Sequence, residues 1–120
     1  MKKKLFVTDD DESIQDILRI IFESAGYETT IFSNGGDLMA SDSVYPDVYI
    51  LDKQLSGMDG LDICRILKKS EKTKSIPIIM VSASPDLGIL AKKAGADDFI
   101  EKPFNRGELL DLVAKYAHAC

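Results

Sequence analysis

Val48-Tyr49-Ile50-Leu51-Asp52 sets four apolar residues in a row against one terminal acid. A short apolar run without polar alternation marks a strand buried on both faces, as the strands of a parallel sheet are. The pattern returns along the chain. Leu5-Phe6-Val7-Thr8 runs into Asp9, Asp10, Asp11 and Glu12, Ile76 to Val81 runs into Ser82, and Asp98 to Glu101 runs into Lys102. Tyr27 to Phe32 reads as one more strand, and Pro77 is tolerable near the start of its own.

Stretches of helical period separate these runs. Ile14, Ile17, Leu18, Ile21, Phe22 and Ala25 share one helical face, with Ser13 or Asp11 as cap and Gly26 as stop. Asn34-Gly35-Gly36 turns into a short second helix, and Leu61, Cys64 and Leu67 form the stripe of a third, widened by Ile63 and Ile66. Leu87 to Ala94 is a short fourth helix closed by Gly95. Arg106 to Ala117 is the last, with Leu109, Leu112, Val113 and Tyr116 inward. Five strand-then-helix units imply an α/β, doubly wound five-stranded parallel sheet with helices on both faces. No linker or repeat interrupts it, so residues 1–120 read as one domain.

A chain of 120 residues with 45% apolar and 29% charged residues is that of a soluble globular protein. Its net charge of −5 argues against direct nucleic acid binding. Cys64 and Cys120 have neither metal spacing nor a disulfide framework and read as free thiols in a reducing compartment. There is no signal peptide and no apolar run long enough for a membrane, so a cytoplasmic location is expected.

Ligands of an open parallel sheet sit beyond the carboxyl ends of its strands. That edge gathers Asp9 and Asp10 from the first strand, Asp52 from the third, Ser82 from the fourth and Lys102 from the fifth. Carboxylates about 5 Å apart repel by on the order of 3 kcal/mol per pair at an effective dielectric of about 20, so three of them call for a cation. Hard oxygen ligands suit Mg²⁺. A carboxylate nucleophile, a divalent cation, an ammonium and a hydroxyl are the parts that phosphoryl transfer to an aspartate needs.

The segments LFVTDDDES, DVYILDKQLSGMDG, PIIMVSAS and GADDFIEKPF resemble, in order and spacing, the four signature blocks of the response-regulator receiver family, and they extend over the whole chain. The resemblance implies a (βα)5 flavodoxin-like sheet with strand order 2-1-3-4-5. It implies that Asp52 accepts the phosphoryl group, that Asp10 and Asp52 bind Mg²⁺ (or Mn²⁺) directly, Asp9 through water and Gln54 through its backbone carbonyl. Ser82 and Lys102 would hold phosphoryl oxygens, Phe99 would be the aromatic switch, and a cis bond would precede Pro103. The donor would be a sensor histidine kinase or phosphotransfer protein, and the output a downstream protein target.

Blander readings cover part of this set. Acids after strands are often helix N-caps, which suffices for Asp11 and Glu12 but not for Asp52 and Lys102 at one edge. Ser82 alone reads as a strand-end serine and Phe99 alone as core. His118 suits the C-terminal end of a helix rather than a ligand or phosphohistidine role. Met39, Met58 and Met80 read as packing residues, and Lys2 to Lys4 as a solvated end.

The chain departs from the family in three places. Ser56 stands where members often carry Pro. Gln54 and Ser84 stand two residues beyond Asp52 and Ser82, positions that face the attacking water in this family, so the resemblance implies that they tune dephosphorylation. The stretch from Ser82 to Gly95 is about two residues shorter than the family's, and Pro85 and Gly88 disfavour helix at its start, so a short or irregular fourth helix is expected. That leaves open whether two copies pair on phosphorylation. A Mg²⁺-dependent phosphatase with an aspartyl nucleophile would carry a second acid where Gln54 stands, and a flavin-binding domain would need hydroxyls where the first acids are. A receiver-like module without phosphorylation would not need the complete acid set. The expected function is therefore a phosphoacceptor switch rather than an enzyme. Because no effector segment follows Cys120, output through protein–protein contact is expected, although a piece of a longer regulator would read the same.

Overall fold

Helices cover both faces of the sheet, and that is why its central strands are apolar on both. The computed structural model describes residues 2–41, 44–55 and 57–118; Ser56 and Cys120 lie outside them. In chain order the elements are β1 (Lys4–Thr8), α1 (Glu12–Ser24), β2 (Glu28–Phe32), α2 (Gly35–Ala40), β3 (Val48–Asp52), β4 (Gln54–Leu55), β5 (Met58–Asp59), α3 (Gly60–Lys69), β6 (Ile78–Ser82), α4 (Leu87–Ala94), β7 (Asp98–Glu101) and α5 (Arg106–Ala117). The long strands form one sheet in the order β2-β1-β3-β6-β7, every pair parallel. Numbered by themselves they run 2-1-3-4-5, as expected.

Alternation along each strand splits the core in two. Leu5, Val7, Val48, Ile50, Ile79 and Val81 pack under Leu18 and Phe22 of α1 and Leu109 and Val113 of α5. Phe6, Tyr49, Leu51, Ile78 and Met80 turn to the other face, under Leu38 of α2, Ile63, Cys64 and Leu67 of α3, and Leu87 and Ala91 of α4. Each such large side chain contributes about 1.5–3 kcal/mol by burial.

Side-chain caps start most of the helices. The Asp11 carboxylate, not Ser13, accepts from Ser13 N at 2.9 Å and Ile14 N at 3.4 Å to start α1. Asn34, Asp59 and Asn105 cap α2, α3 and α5 in the same way, each worth about 1 kcal/mol. The helix α4 has no such cap: the Asp86 carboxylate is engaged by the Ser84 hydroxyl, which lowers its pKa. It is short, eight residues, and ends at Gly95 with φ +92°.

Several local expectations are corrected. Ile17 and Ile66, placed on inward stripes, are 50% and 43% exposed. Each precedes a fully committed core leucine, Leu18 or Leu67, and one residue on a helix is a turn of about 100°, which carries it past the edge of the buried face. Tyr27 lies outside β2; its N–H closes α1 by donating to the Phe22 carbonyl at 3.0 Å. β6 starts at Ile78 rather than Ile76, whose N–H is used in a turn to Thr73 O. The antiparallel pair β4–β5 had no periodic signal at two residues per strand.

Candidate functional site

Sheet register brings the candidate residues to one edge. Thr8 of β1 lies beside Leu51 of β3, Asp52 beside Val81 of β6, and Ser82 beside Glu101 of β7. The chain therefore leaves the sheet at Asp9, Asp52, Ser82 and Lys102 together. Asp9, Asp52 and Ser82 are buried and Asp10 is exposed.

Lys102 ties the two buried acids. Its Nζ lies 3.1 Å from Asp52 Oδ2 and 3.3 Å from Asp9 Oδ2. The remaining Asp52 oxygen, Oδ1, accepts from Gln54 N at 3.0 Å, and Asp9 Oδ1 accepts from Asp11 N at 3.0 Å. Burial, reinforced by the charge and hydrogen bond of Asp52, pushes the Asp9 carboxyl up to about 6 despite the Asp11 amide and the Lys102 charge. Burial by itself would lower the Lys102 pKa; the hydrogen bonds and charges of Asp52 and Asp9 outweigh it and raise it.

The arrangement fits a small divalent cation. Carboxylate oxygens of Asp9, Asp10 and Asp52 all lie within 4.8 Å of one another. Mg²⁺ takes a few carboxylate oxygens and keeps several waters, and a set of acids this close suits such an ion. Three carboxylates and one ammonium sum formally to −2, the charge such an ion offsets.

Neighbouring residues hold the frame. Ser82 Oγ accepts from Ser84 N at 3.0 Å. Gln54 is exposed at the rim. The Lys102–Pro103 bond is cis. Phe99 is turned outward and 40% exposed. His118 lies away from the site, its Nε2 3.3 Å from the Tyr27 hydroxyl. Cys64 is fully buried, and burial pushes its thiol up to about 11, which makes it a packing residue rather than a nucleophile.

Two residues that sequence reasoning left unassigned shape the edge. The Gln15 carboxamide donates to Asp9 O at 2.6 Å and Ser33 Oγ at 3.1 Å, pinning the acidic loop to the one after β2. Gly60 lies against the Asp52 backbone, where no side chain fits. Nothing in the local sequence announces this approach, because it joins the start of α3 to the end of β3.

The family model for the response regulator receiver domain matches residues 5–114. The chain belongs to that family. The DNA-binding response regulator MtrA of Mycolicibacterium smegmatis is 35% identical over 116 residues, covering 94% of this chain and 50% of that protein. The receiver thus spans about half the length of the curated relatives it matches. A putative response regulator from Chloroflexus aurantiacus superposes with a TM-score of 0.94 at 30% identity, covering 99% of this receiver and 100% of that chain. The receiver domain of sensor histidine kinase PA1611 from Pseudomonas aeruginosa, described with magnesium in its active site cleft, shares the fold with a TM-score of 0.90 at 22% identity, covering 99% of this receiver and all (100%) of that chain. No helix among the described residues is long and apolar enough to cross a membrane.

Proposed function

We propose that Asp52 is the phosphoacceptor of this receiver, and that the donor is a phosphohistidine on a sensor histidine kinase or phosphotransfer protein. The observation that carries the reading is Lys102 Nζ held 3.1 Å from Asp52 Oδ2 at the carboxyl edge of the sheet, beside Asp9 and Asp10. An Asp52 oxygen forms the new P–O bond as the P–N bond breaks. The imidazole nitrogen keeps the bonding pair and, with its other nitrogen protonated, leaves neutral. Asp10 and Asp52, with the Gln54 carbonyl and with Asp9 through water, would hold Mg²⁺, which would supply positive charge to the phosphoryl oxygens. The Lys102 ammonium and Ser82 hydroxyl each orient one of those oxygens.

An apolar groove of about 350 Å³ between Ile14, Ile17 and Leu18 of α1 and Pro103 and Phe104 is also lined by Lys102. It offers the donor protein a seat next to the reacting carboxylate. Phosphorylation then biases the Ser82 and Phe99 region between two arrangements, and a downstream protein reads the result in the cytoplasm. A net charge of −5 supports output by protein contact.

Incubation with acetyl phosphate and Mg²⁺, read by intact mass, tests the reading. It predicts the gain of one phosphoryl group, abolished by Asp52→Asn and by EDTA. No gain where Mg²⁺ demonstrably binds would overturn it.

A further inference from the structure

Gly88 is a costly residue for a helix, since it orders more backbone freedom than alanine and packs nothing. The structure supplies a reason for it. A β-carbon at Gly88 would stand 2.9 Å from Cζ and 3.2 Å from Cε1 of Phe99, so the ring occupies the space a side chain would take. Ala91 and Ala96 line the same groove between α4 and β7, and Tyr116 closes it from α5. The outward, 40% exposed ring of Phe99 thus rests in a notch cut into α4.

We propose that Gly88 is the seat that holds Phe99 outward, and so a positioning residue for the phosphorylation switch. The inference rests on the reading of Asp52 as phosphoacceptor for its functional consequence, but not for the seat itself. The atoms that would clash belong to the far end of an aromatic side chain with two rotatable bonds, not to backbone. Adding a methyl therefore moves the ring and leaves the helix in place. An unseated ring raises the fraction of molecules in the arrangement that phosphorylation favours, and apparent affinity for a phosphoryl group rises with that fraction.

The test compares wild type, Gly88→Ala, Phe99→Ala and the double variant. Nuclear Overhauser contacts place the ring, and titration with beryllium trifluoride plus Mg²⁺ reads the switch. Wild type should show contacts from the Phe99 ring to the Gly88 α-protons, and Gly88→Ala should lose contacts to residue 88. Gly88→Ala should bind the phosphoryl analogue at least about threefold more tightly, with no effect of the same change in the Phe99→Ala background. Absent ring contacts in wild type, unchanged affinity in Gly88→Ala, or an equal effect in both backgrounds would overturn the proposal. If wild type itself fails to bind the analogue, the phosphoacceptor reading falls. The seat is then judged by the ring contacts and by melting: Gly88→Ala must stabilise the Phe99→Ala protein more than the wild type, and equal gains overturn it.

Discussion

Gly60 approaches Asp52 so closely that a β-carbon on it would lie 2.1 Å from the Asp52 carbonyl oxygen and 2.8 Å from Lys53 Cα. Its N–H donates to Lys53 O at 2.8 Å, which fastens the start of α3 under the acidic edge. The obstacle is backbone and cannot swing aside. Gly60→Ala should destabilise the protein by about 1–3 kcal/mol or more and slow phosphorylation by acetyl phosphate at least about tenfold through displacement of Asp52. Denaturant melts and phosphorylation rates check this, and wild-type behaviour in both would contradict the packing described.

Asp9 gives the protein a pH signature. Its folded pKa of about 6 is above the ordinary 3.8, so the folded state holds the proton more tightly than the unfolded one. The sign follows from linkage: this contribution favours folding below about 3.8 and is lost as pH rises through about 6. Metal-free wild type should therefore lose on the order of 1–3 kcal/mol relative to Asp9→Asn between pH 4 and 7. Mg²⁺ should restore part of it at pH 7 and bind more weakly below pH 6, where it must displace a proton. Melting curves of both proteins across that range decide the matter; parallel curves would remove the strained carboxyl from the account.

Gln54 stands exposed at the rim with its N–H on Asp52 Oδ1. The Ser84 hydroxyl is held by Asp86 instead. Both Gln54 and Ser84 are proposed to tune loss of the phosphoryl group, and the exposed Gln54 side chain is the more readily tested of the two. Gln54→Leu should change the hydrolysis rate by about tenfold with little effect on stability, measured by loss of the phosphoryl mass over time. An unchanged rate would assign the lifetime to other residues.

Much of this molecule is written in local pattern. The bounds of α4, β7 and α5 follow from turn residues, glycines and apolar period, and parallel strands bring the acids at their ends to one edge. What local pattern does not carry is contact between distant segments. Gly60 against Asp52, Gly88 under Phe99 and Gln15 on the Asp9 carbonyl each join elements whose relative placement is a property of the whole fold. Ile17 and Ile66 mark the same boundary, since the width of a buried helical stripe depends on what packs beside it.

Which side chain carries the phosphoryl group can be read from its chemistry. Protein treated with acetyl phosphate and Mg²⁺ would be reduced with borohydride, which converts an aspartyl phosphate to homoserine, and the peptides sequenced by mass spectrometry. Homoserine should appear at position 52 and at no other acid. Conversion at Asp9 or Asp10, or a stable phosphate on any other side chain with position 52 intact, would contradict it.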